Sequence, residues 1–434
     1  MVRFSTVAGF HLSARALVIM AGAVALALTG VAGVCDAYYA PEIQLNSTTQ
    51  GNQTEAAVGV APTGLKLAVW VSKNEGQNEW WVRGRFFDPL DAPLGPDFTV
   101  SDSYPQYGVA SPRVLPLSNG ELLVIWTEES GSRLAVRRYL ADGNPAGPAV
   151  TLIDYYTHAH WGWFLSPRAA VNSAGQILLV WKHGDELYDF PTSQIFTYVD
   201  AQLFDSDLSP VGARFTIAWA ETTPEVVAAE VAFSSAGEFV VTRSFPSPYQ
   251  ILGQRRSALD GSLIAEFPVA DLYGGHSYDE QGHALLASPS GLLMVVWQDP
   301  QLEIGARILA ADGSPVTAPI TVEYSMWNGQ PAVAEFDGTL LLVWNHTIQG
   351  GGSDIHARRM AWTGELLSDV EVLNTLTAGA QSLPAAAPGL VSWESTQSPG
   401  SDTSGMCVLA CFVYHIFADG FESSLTSAWS LTVP

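Results

Sequence analysis

Aromatic, histidine and acidic residues crowd together at several points of this chain. The densest run is Tyr155-Tyr156-Thr157-His158-Ala159-His160-Trp161-Gly162-Trp163. Similar groups are Trp80-Trp81, Tyr104 with Tyr107, and His183 with Asp185 and Tyr188. Tyr273, His276, Tyr278, Asp279 and Glu280 form another, and Trp327, Asn328 and His346 complete the set. Indole and phenol rings offer flat apolar faces to sugar rings or protein anchors, with a polar handle to orient them. Trp80, Trp81, Tyr107, Tyr155, His158, His160, Trp161, Trp163, Tyr273, His276, Tyr278 and Trp327 are therefore the candidate binding residues. The same rings could instead pack loop on loop and plug a central opening, and the sequence leaves both readings open.

Metal and acid–base chemistry have weaker signals. His158-x-His160 would place two imidazoles on one side of an extended segment, and His276, Asp279 or His183 could complete a shell. No ligand spacing surrounds the pair, so solvated or hydrogen-bonded histidines are expected and no metal site is assigned. Asp205-Ser206-Asp207 hints at calcium, the one cofactor suggested, but lacks the Gly and distal Glu of a known calcium loop. A glycosidase needs two carboxylates about 5–10 Å apart. Glu128, Glu129, Asp185, Glu186, Asp279 and Glu280 are too many candidates to single out a pair, so the catalytic residues stay unknown. Gly-x-Ser-x-Gly, His-Glu-x-x-His, a phosphate loop and the Ser-x-Asp-x-Gly-x-x-Trp box are all absent from the sequence.

Those residues lie between the members of a repeat. An apolar run ending in Trp recurs at Trp70, Trp126, Trp181, Trp297, Trp344 and Trp393. A seventh copy, Gly237 to Arg243, has Arg243 in the Trp place, which makes the period about 54 residues. After each run comes an alternating segment carrying Arg: Arg83 and Arg85, Arg137-Arg138, Arg255-Arg256, Arg307, and Arg358-Arg359. The third copy has Asp200-Ala201-Gln202 there instead. Asp142-Gly143, Asp260-Gly261 and Asp312-Gly313 follow, a dipeptide that tight hairpins favour. Short runs rich in Val, Ile and Trp between such turns read as strands, and no stretch after residue 37 has a helical period.

Seven sheets of about four strands at this period predict an all-β fold, a seven-bladed β-propeller. The ends refine the prediction. Asn46 to Gln53 parallels Asn374 to Gln381, each after a short strand, so the chain opens on a fourth strand that lacks its first three. The seventh copy has three strands and no obvious fourth. A ring closed by the N-terminal strand resolves both facts and removes exposed edges, although Ala428 to Val433 could compete for that place. The repeated Trp and Arg are expected to be structural, with each Arg stacked on a ring or bonded to a neighbouring blade. In a meander blade the turns between strands one and two and between three and four lie on one face. The aromatic groups fall on the other, in the loops joining strands two and three and in the blade-to-blade connections.

The 434 residues include 47% apolar and 14% charged side chains, ample for a core and too few charges for disorder. Arg3 and Arg15 precede an apolar run from Leu17 to Val34, the pattern of a signal peptide over residues 1–37. A retained anchor, or lipidation at Cys35, is the other reading. The net charge of −24 argues against nucleic acid. Removing residues 1–37 takes away Arg3, Arg15 and Asp36 and leaves the balance slightly more acidic. Cys407 and Cys411, four residues apart on one strand, would need a turn between them to bridge.

The repeat pattern LLVVW, ARR and ADGxPVG resembles repeats of exported bacterial proteins that look like β-propellers. Phe417 to Ser430 is similar to a DGFESGxTSAWS tail of exported bacterial proteins, with Ser424 where that tail has Gly. The resemblance implies a secreted or cell-surface bacterial protein. The expected layout is a signal peptide over 1–37, a propeller over 38–417 and a tail over 418–434. The expected activity is non-catalytic binding of a glycan or extracellular protein, by a monomer with no membrane span once the signal is removed. A carbohydrate-active hydrolase or lyase on the same face is the alternative.

Overall fold

A computed structural model describes residues 37–39, 42–47, 51–74, 79–102, 108–128, 133–154, 163–189, 192–221, 228–235, 237–246, 249–271, 282–299, 303–324, 328–348, 352–377, 379–396 and 407–415. The chain divides into a large unit, Tyr39–Val413, and a small one made of Met1–Tyr38 and Tyr414–Pro434, of which few residues are described. The large unit is a ring of seven antiparallel sheets, with no helix among the described residues. It is a seven-bladed β-propeller.

Each blade is a meander in chain order. Blade 1 runs Asn52–Val60, Lys66–Asn74, Glu79–Phe87 and Phe98–Thr99, and blade 2 runs Val109–Pro116, Leu122–Glu128, Arg133–Tyr139 and Val150–Asp154. Blade 3 comprises Trp163–Val171, Ile177–Asp189, Thr192–Phe204 and Pro210–Glu221; blade 4, Ala228–Phe233, Glu238–Pro246, Tyr249–Ser257 and Leu263–Asp271. Blade 5 holds His283–Ala287, Leu293–Gln298, Glu303–Leu309 and Ile320–Tyr324; blade 6, Asn328–Phe336, Thr339–Thr347, Ser353–Met360 and Glu371–Val372. Blade 7 has Gln381–Ala387, Leu390–Ser395 and Cys407–His415. Its fourth strand is Ile43–Gln44, with Ile43 opposite Ala410 and Gln44 opposite Leu409. The expected closure is present, and the first strands touch in sequence round the axis, blade 7 against blade 1.

The second strand of each blade is buried on both faces, which is why its apolar run does not alternate. Trp70, Trp126, Trp181, Trp344 and Trp393 are at most 1% exposed. Four indoles donate to buried or half-buried acceptors: Trp70 to Gln53 Oε1 at 3.0 Å, Trp393 to Gln381 Oε1 at 3.1 Å, Trp126 to Glu128 at 2.8 Å and Trp344 to Glu323 at 2.6 Å. Gln53 and Gln381 thus play one role in two blades, as the parallel between residues 46–53 and 374–381 implies.

The repeated arginines join blades. Arg137 Nη1 donates to Val100 O (2.9 Å), Arg307 Nη1 to Val269 O (2.8 Å) and Arg358 Nη1 to Val322 O (2.5 Å), each the carbonyl of a buried residue in or beside the preceding blade's outer strand. Arg85 Nη1 reaches Leu45 O (3.3 Å), so the N-terminal strand is read by blade 1 as blade 7's outer edge. Blade 4 has Gln254 opposite Val241, where blades 1, 2, 5 and 6 carry this Arg and blade 3 has Gln202. There Arg243, the residue in the Trp place, donates to Ile217 O of blade 3 (3.3 Å) and pairs with Glu266 (2.6 Å). One substitution in this blade is offset by the other. Arg85→Met should cost about 1–2 kcal/mol, the worth of a partly buried charge-assisted bond, in urea unfolding of the full chain; no change would make the Arg85 bridge dispensable.

Two sequence readings need correction or closure. His183, Asp185 and Tyr188 were expected in a loop, but the strand Ile177–Asp189 runs through them, with His183 opposite Tyr198 and Asp189 opposite Thr192. The hairpin of blade 3 simply continues past the usual strand end. Cys407 and Cys411 share one uninterrupted strand; Cys411 is a buried free thiol, pushed up to about 12 by burial.

Candidate functional site

The channel along the ring axis is lined by the seven first strands. Five of these strands are irregular at one level: their register shifts between Thr54 and Ala57, Ala110 and Arg113, Leu165 and Arg168, Gly329 and Ala332, and Ser382 and Ala385. Four carry Pro inside the shift (Pro112, Pro167, Pro331, Pro384), a residue with no N–H to give to a ladder and so at home in a bulge. Glu55, Ser111, Gln330 and Leu383 there have φ between 51 and 57°, which turns their N–H groups out of the ladder. Three of those N–H groups meet the neighbouring blade. Ser111 N–H donates to Glu55 Oε2 (2.5 Å), Leu383 N–H to Gln330 Oε1 (3.0 Å), and Glu55 N–H to Glu394 Oε1. The bulges therefore stitch blade 1 to blade 2, blade 6 to 7 and blade 7 to 1.

Around this belt is a cavity of about 500 Å³ lined by Glu55, Ser111, Arg113, Arg168, Glu230 and His283 among smaller apolar residues. Arg168 Nε pairs with Glu230 Oε1 (2.5 Å), linking blades 3 and 4. His283 Nε2 lies 2.9 Å from Thr242 Oγ1, linking blades 4 and 5; burial pushes this imidazole down to about 4, so it is neutral at neutral pH. Burial, and then the Arg168 charge, bring Arg113 down to about 9, with Glu230 and Glu55 opposing. Glu394, behind the belt and 2% exposed, is pushed up to about 7 by burial and by the Glu55 carboxylate, against the Glu55 N–H and Lys73.

At the end of the ring that carries the loops between strands two and three, Trp80 and Trp81 open the third strand of blade 1. Both are half-buried. Lys73 Nζ sits 4.6 Å above the Trp80 ring. Gly108 (φ 89°) also lies against this ring, where a Cβ would meet Trp80 Cε3 at 2.8 Å, so only glycine fits there. Trp80 is thus largely spent on packing blade 1 against the connection to blade 2. Trp163 opens the first strand of blade 3, but its side chain lies outside the described residues. Tyr107, Tyr155, His158, His160, Trp161, Tyr273, His276, Tyr278 and Trp327 also lie outside the described residues, as does Ala428 to Val433.

Two histidine clusters flank the same end. In blade 3, His183 Nε2 is 3.0 Å from Asp200 Oδ2, Thr216 Oγ1 donates to Asp200 Oδ1 (2.7 Å), and the His183 ring stacks on Tyr198. Burial alone would raise Asp200; the bonds from His183 and Thr216 outweigh it and hold the carboxylate low. In blade 6, His346 and His356 stack at 4.3 Å beside Glu323 of blade 5. The Asp205–Asp207 pair is a turn: Asp207 Oδ1 accepts the Ser209 N–H (2.9 Å), as Asp142 and Asp312 do from Asn144 and Ser314.

Sequence reasoning missed the channel belt. Its signal was present, as Ser-Pro-Arg at 111–113 and 166–168, with Gln-Pro-Ala at 330–332 and Leu-Pro-Ala at 383–385.

No protein-family model matches the chain, and no curated protein matches it. Solved structures do. A Dyadobacter fermentans protein of unknown function aligns with a TM-score of 0.50 at 13% identity, over 74% of this chain and 98% of that one. The Pyrococcus horikoshii acylaminoacyl peptidase aligns at 0.46 and 10% identity over 86% of this chain, which spans 54% of the peptidase. An α-L-arabinofuranosidase of Fusarium graminearum aligns at 0.41 and 12% identity, over 71% and 93%. The first likeness speaks to the fold alone, and no activity follows from the other two.

Proposed function

We propose that this chain is an exported, non-catalytic β-propeller that binds a glycan or an extracellular protein at its loop-rich end. What supports the reading is how the polar groups round the channel are spent. Glu55, Glu394, Arg168, Glu230 and His283 each hold one blade to the next. Groups so tied are poorly placed to move protons or attack a substrate, whereas the half-buried Trp80 and Trp81 stand at the loop-rich end.

The hydrolase reading has one specific observation in its favour. Glu55 and Glu394 are neighbouring carboxylates by the channel, and one is desolvated, as an acid catalyst would be. Against it, Glu394 is sealed at 2% exposure, with one oxygen engaged by the Glu55 N–H.

The test is a glycan and cell-surface-protein binding screen with the full chain, with and without calcium. The expected result is a ligand retained without turnover, whose affinity falls at least about tenfold in Trp81→Ala, the loss of roughly 1.4 kcal/mol. A flat screen, or product release that Glu394→Gln abolishes, would sink the binding reading.

A further inference from the structure

Three metal-donor side chains from two blades meet at the boundary of blades 5 and 6. Glu323 comes from the outer strand of blade 5, Ile320–Tyr324, while His346 and His356 come from the second and third strands of blade 6. In that hairpin Trp344 is opposite His356 and His346 is opposite Asp354, so the two histidines are a diagonal pair on one face of the sheet. One donor atom from each of the three side chains lies within 4.8 Å of the others. His356 Nδ1 is 3.3 Å from Glu323 Oε1, and His346 Nδ1 is 3.9 Å from Glu323 Oε2. Donor atoms of a tetrahedral zinc centre stand about 3.3 Å apart. The two rings stack near parallel (11°), so their in-plane lone pairs meet on one ion once His346 turns out of the stack.

The same sheet position in blade 3 shows what a closed arrangement looks like. Asp200 stands opposite Trp181 there, with His183 two residues beyond Trp181; His183 and Arg214 (3.4 Å) both pair with Asp200 Oδ2, and Thr216 takes the remaining carboxylate oxygen. Blade 6 instead sets two imidazoles against one carboxylate. The Trp344 N–H fixes Glu323 from behind through Oε2 (2.6 Å), the kind of outer bond that orients a ligating carboxylate. Asp354, held by Asn374 Nδ2 (2.7 Å), adds a second negative charge beside the pair, which suits a dication. The three donors are 12–21% exposed, so solvent can reach them.

We propose that Glu323, His346 and His356 form a binding site for a first-row divalent transition ion, with zinc the best match to two imidazoles and one carboxylate. A water completes the shell. The proposal is independent of what the loop-rich end binds, and its readout is the metal itself.

The test is equilibrium dialysis of the full chain against zinc, with metal analysis and a competing chromophoric chelator. The parent should hold zinc at this site, with affinity reduced at least tenfold in His356→Ala and in Glu323→Gln, and the site lost in the double variant His346→Ala, His356→Ala. Glu323→Gln keeps an acceptor for the Trp344 indole, so its folding should survive, which a thermal melt checks. His183→Ala should bind zinc as the parent does. Cobalt(II) should give a visible ligand-field band in the parent that the double variant lacks. A parent without zinc, or a folded double variant that binds zinc and cobalt as the parent does, would overturn the assignment.

Discussion

Trp70→Ala should cost about 3–5 kcal/mol, the range for removing a fully buried aromatic ring from a close-packed interior. Trp70 is 0% exposed, packed with Leu45, Phe87, Leu390 and Ala410. Two of these neighbours belong to blade 7 and one follows its N-terminal strand, so the ring sits at the seam where the propeller closes. The cavity would open beside the short pairing of Ile43–Gln44 with Ala410 and Leu409, which has little of its own to hold it. Trp70→Phe separates volume from hydrogen bonding. It keeps much of the packing but takes the indole donor from Gln53, a side chain that is 0% exposed, at a cost of about 1–3 kcal/mol. Adding Gln53→Leu to Trp70→Phe should recover part of that loss, because both polar partners are then gone. Leu90→Ala, at a side chain 84% exposed, should be neutral within about 0.5 kcal/mol. Urea unfolding of the four variants reads all of this. A Trp70→Ala midpoint equal to that of Leu90→Ala would mean the closing seam adds nothing to stability.

The repeat, its Trp and Arg positions, the Asp-Gly turns and the closing strand were legible in the sequence for a common reason. Each is set by burial, by turn geometry or by a contact that successive blade boundaries repeat, so the same residue types return every period. The channel belt was less legible. At its left-handed position stand Glu55, Ser111, Gln330 and Leu383, four unlike side chains, because the position requires a backbone direction rather than a side-chain type. The two-residue alternation that marks a strand also breaks at each bulge, which hid the Ser-Pro-Arg repeat within it. Arg243 could be seen replacing Trp, but the reason lies in the Ile217 carbonyl and the Gln254 across the sheet, which only the pairing of strands reveals. The same holds for the zinc-type cluster. His346 was among the loop-face residues, yet its partners come from Glu323, 23 positions earlier, and from His356 on the next strand.

The second large effect is a stability that falls as pH rises. Glu394 ionises near 4.5 in an unfolded chain, but burial and then the Glu55 carboxylate bring it to about 7 in the fold, the Glu55 N–H and Lys73 opposing. Between those values the folded chain binds the proton that the unfolded chain has lost, so stability is full below about pH 4.5 and is lost as pH rises through about 7. The difference between the two limits is of order 3 kcal/mol. His283 acts in the opposite sense. Its buried ring is pushed from 6.5 down to about 4, so its contribution is full above pH 6.5 and is lost as pH falls towards 4. The two nearly offset each other from pH 4.5 to 6.5, and above that window Glu394 acts alone. Glu394→Gln keeps an oxygen for the Glu55 N–H and removes the charge. It should raise stability at pH 8 by about 1–3 kcal/mol and flatten the profile between pH 6 and 8, while Glu394→Leu, which deprives that N–H of its acceptor, should gain less. Urea midpoints at pH 5, 6.5 and 8 decide it. A parent whose stability is level or rising from pH 6.5 to 8 would place the Glu394 charge in contact with water, and its carboxylate would then be available at the channel for the acid–base role that the sealed geometry denies it.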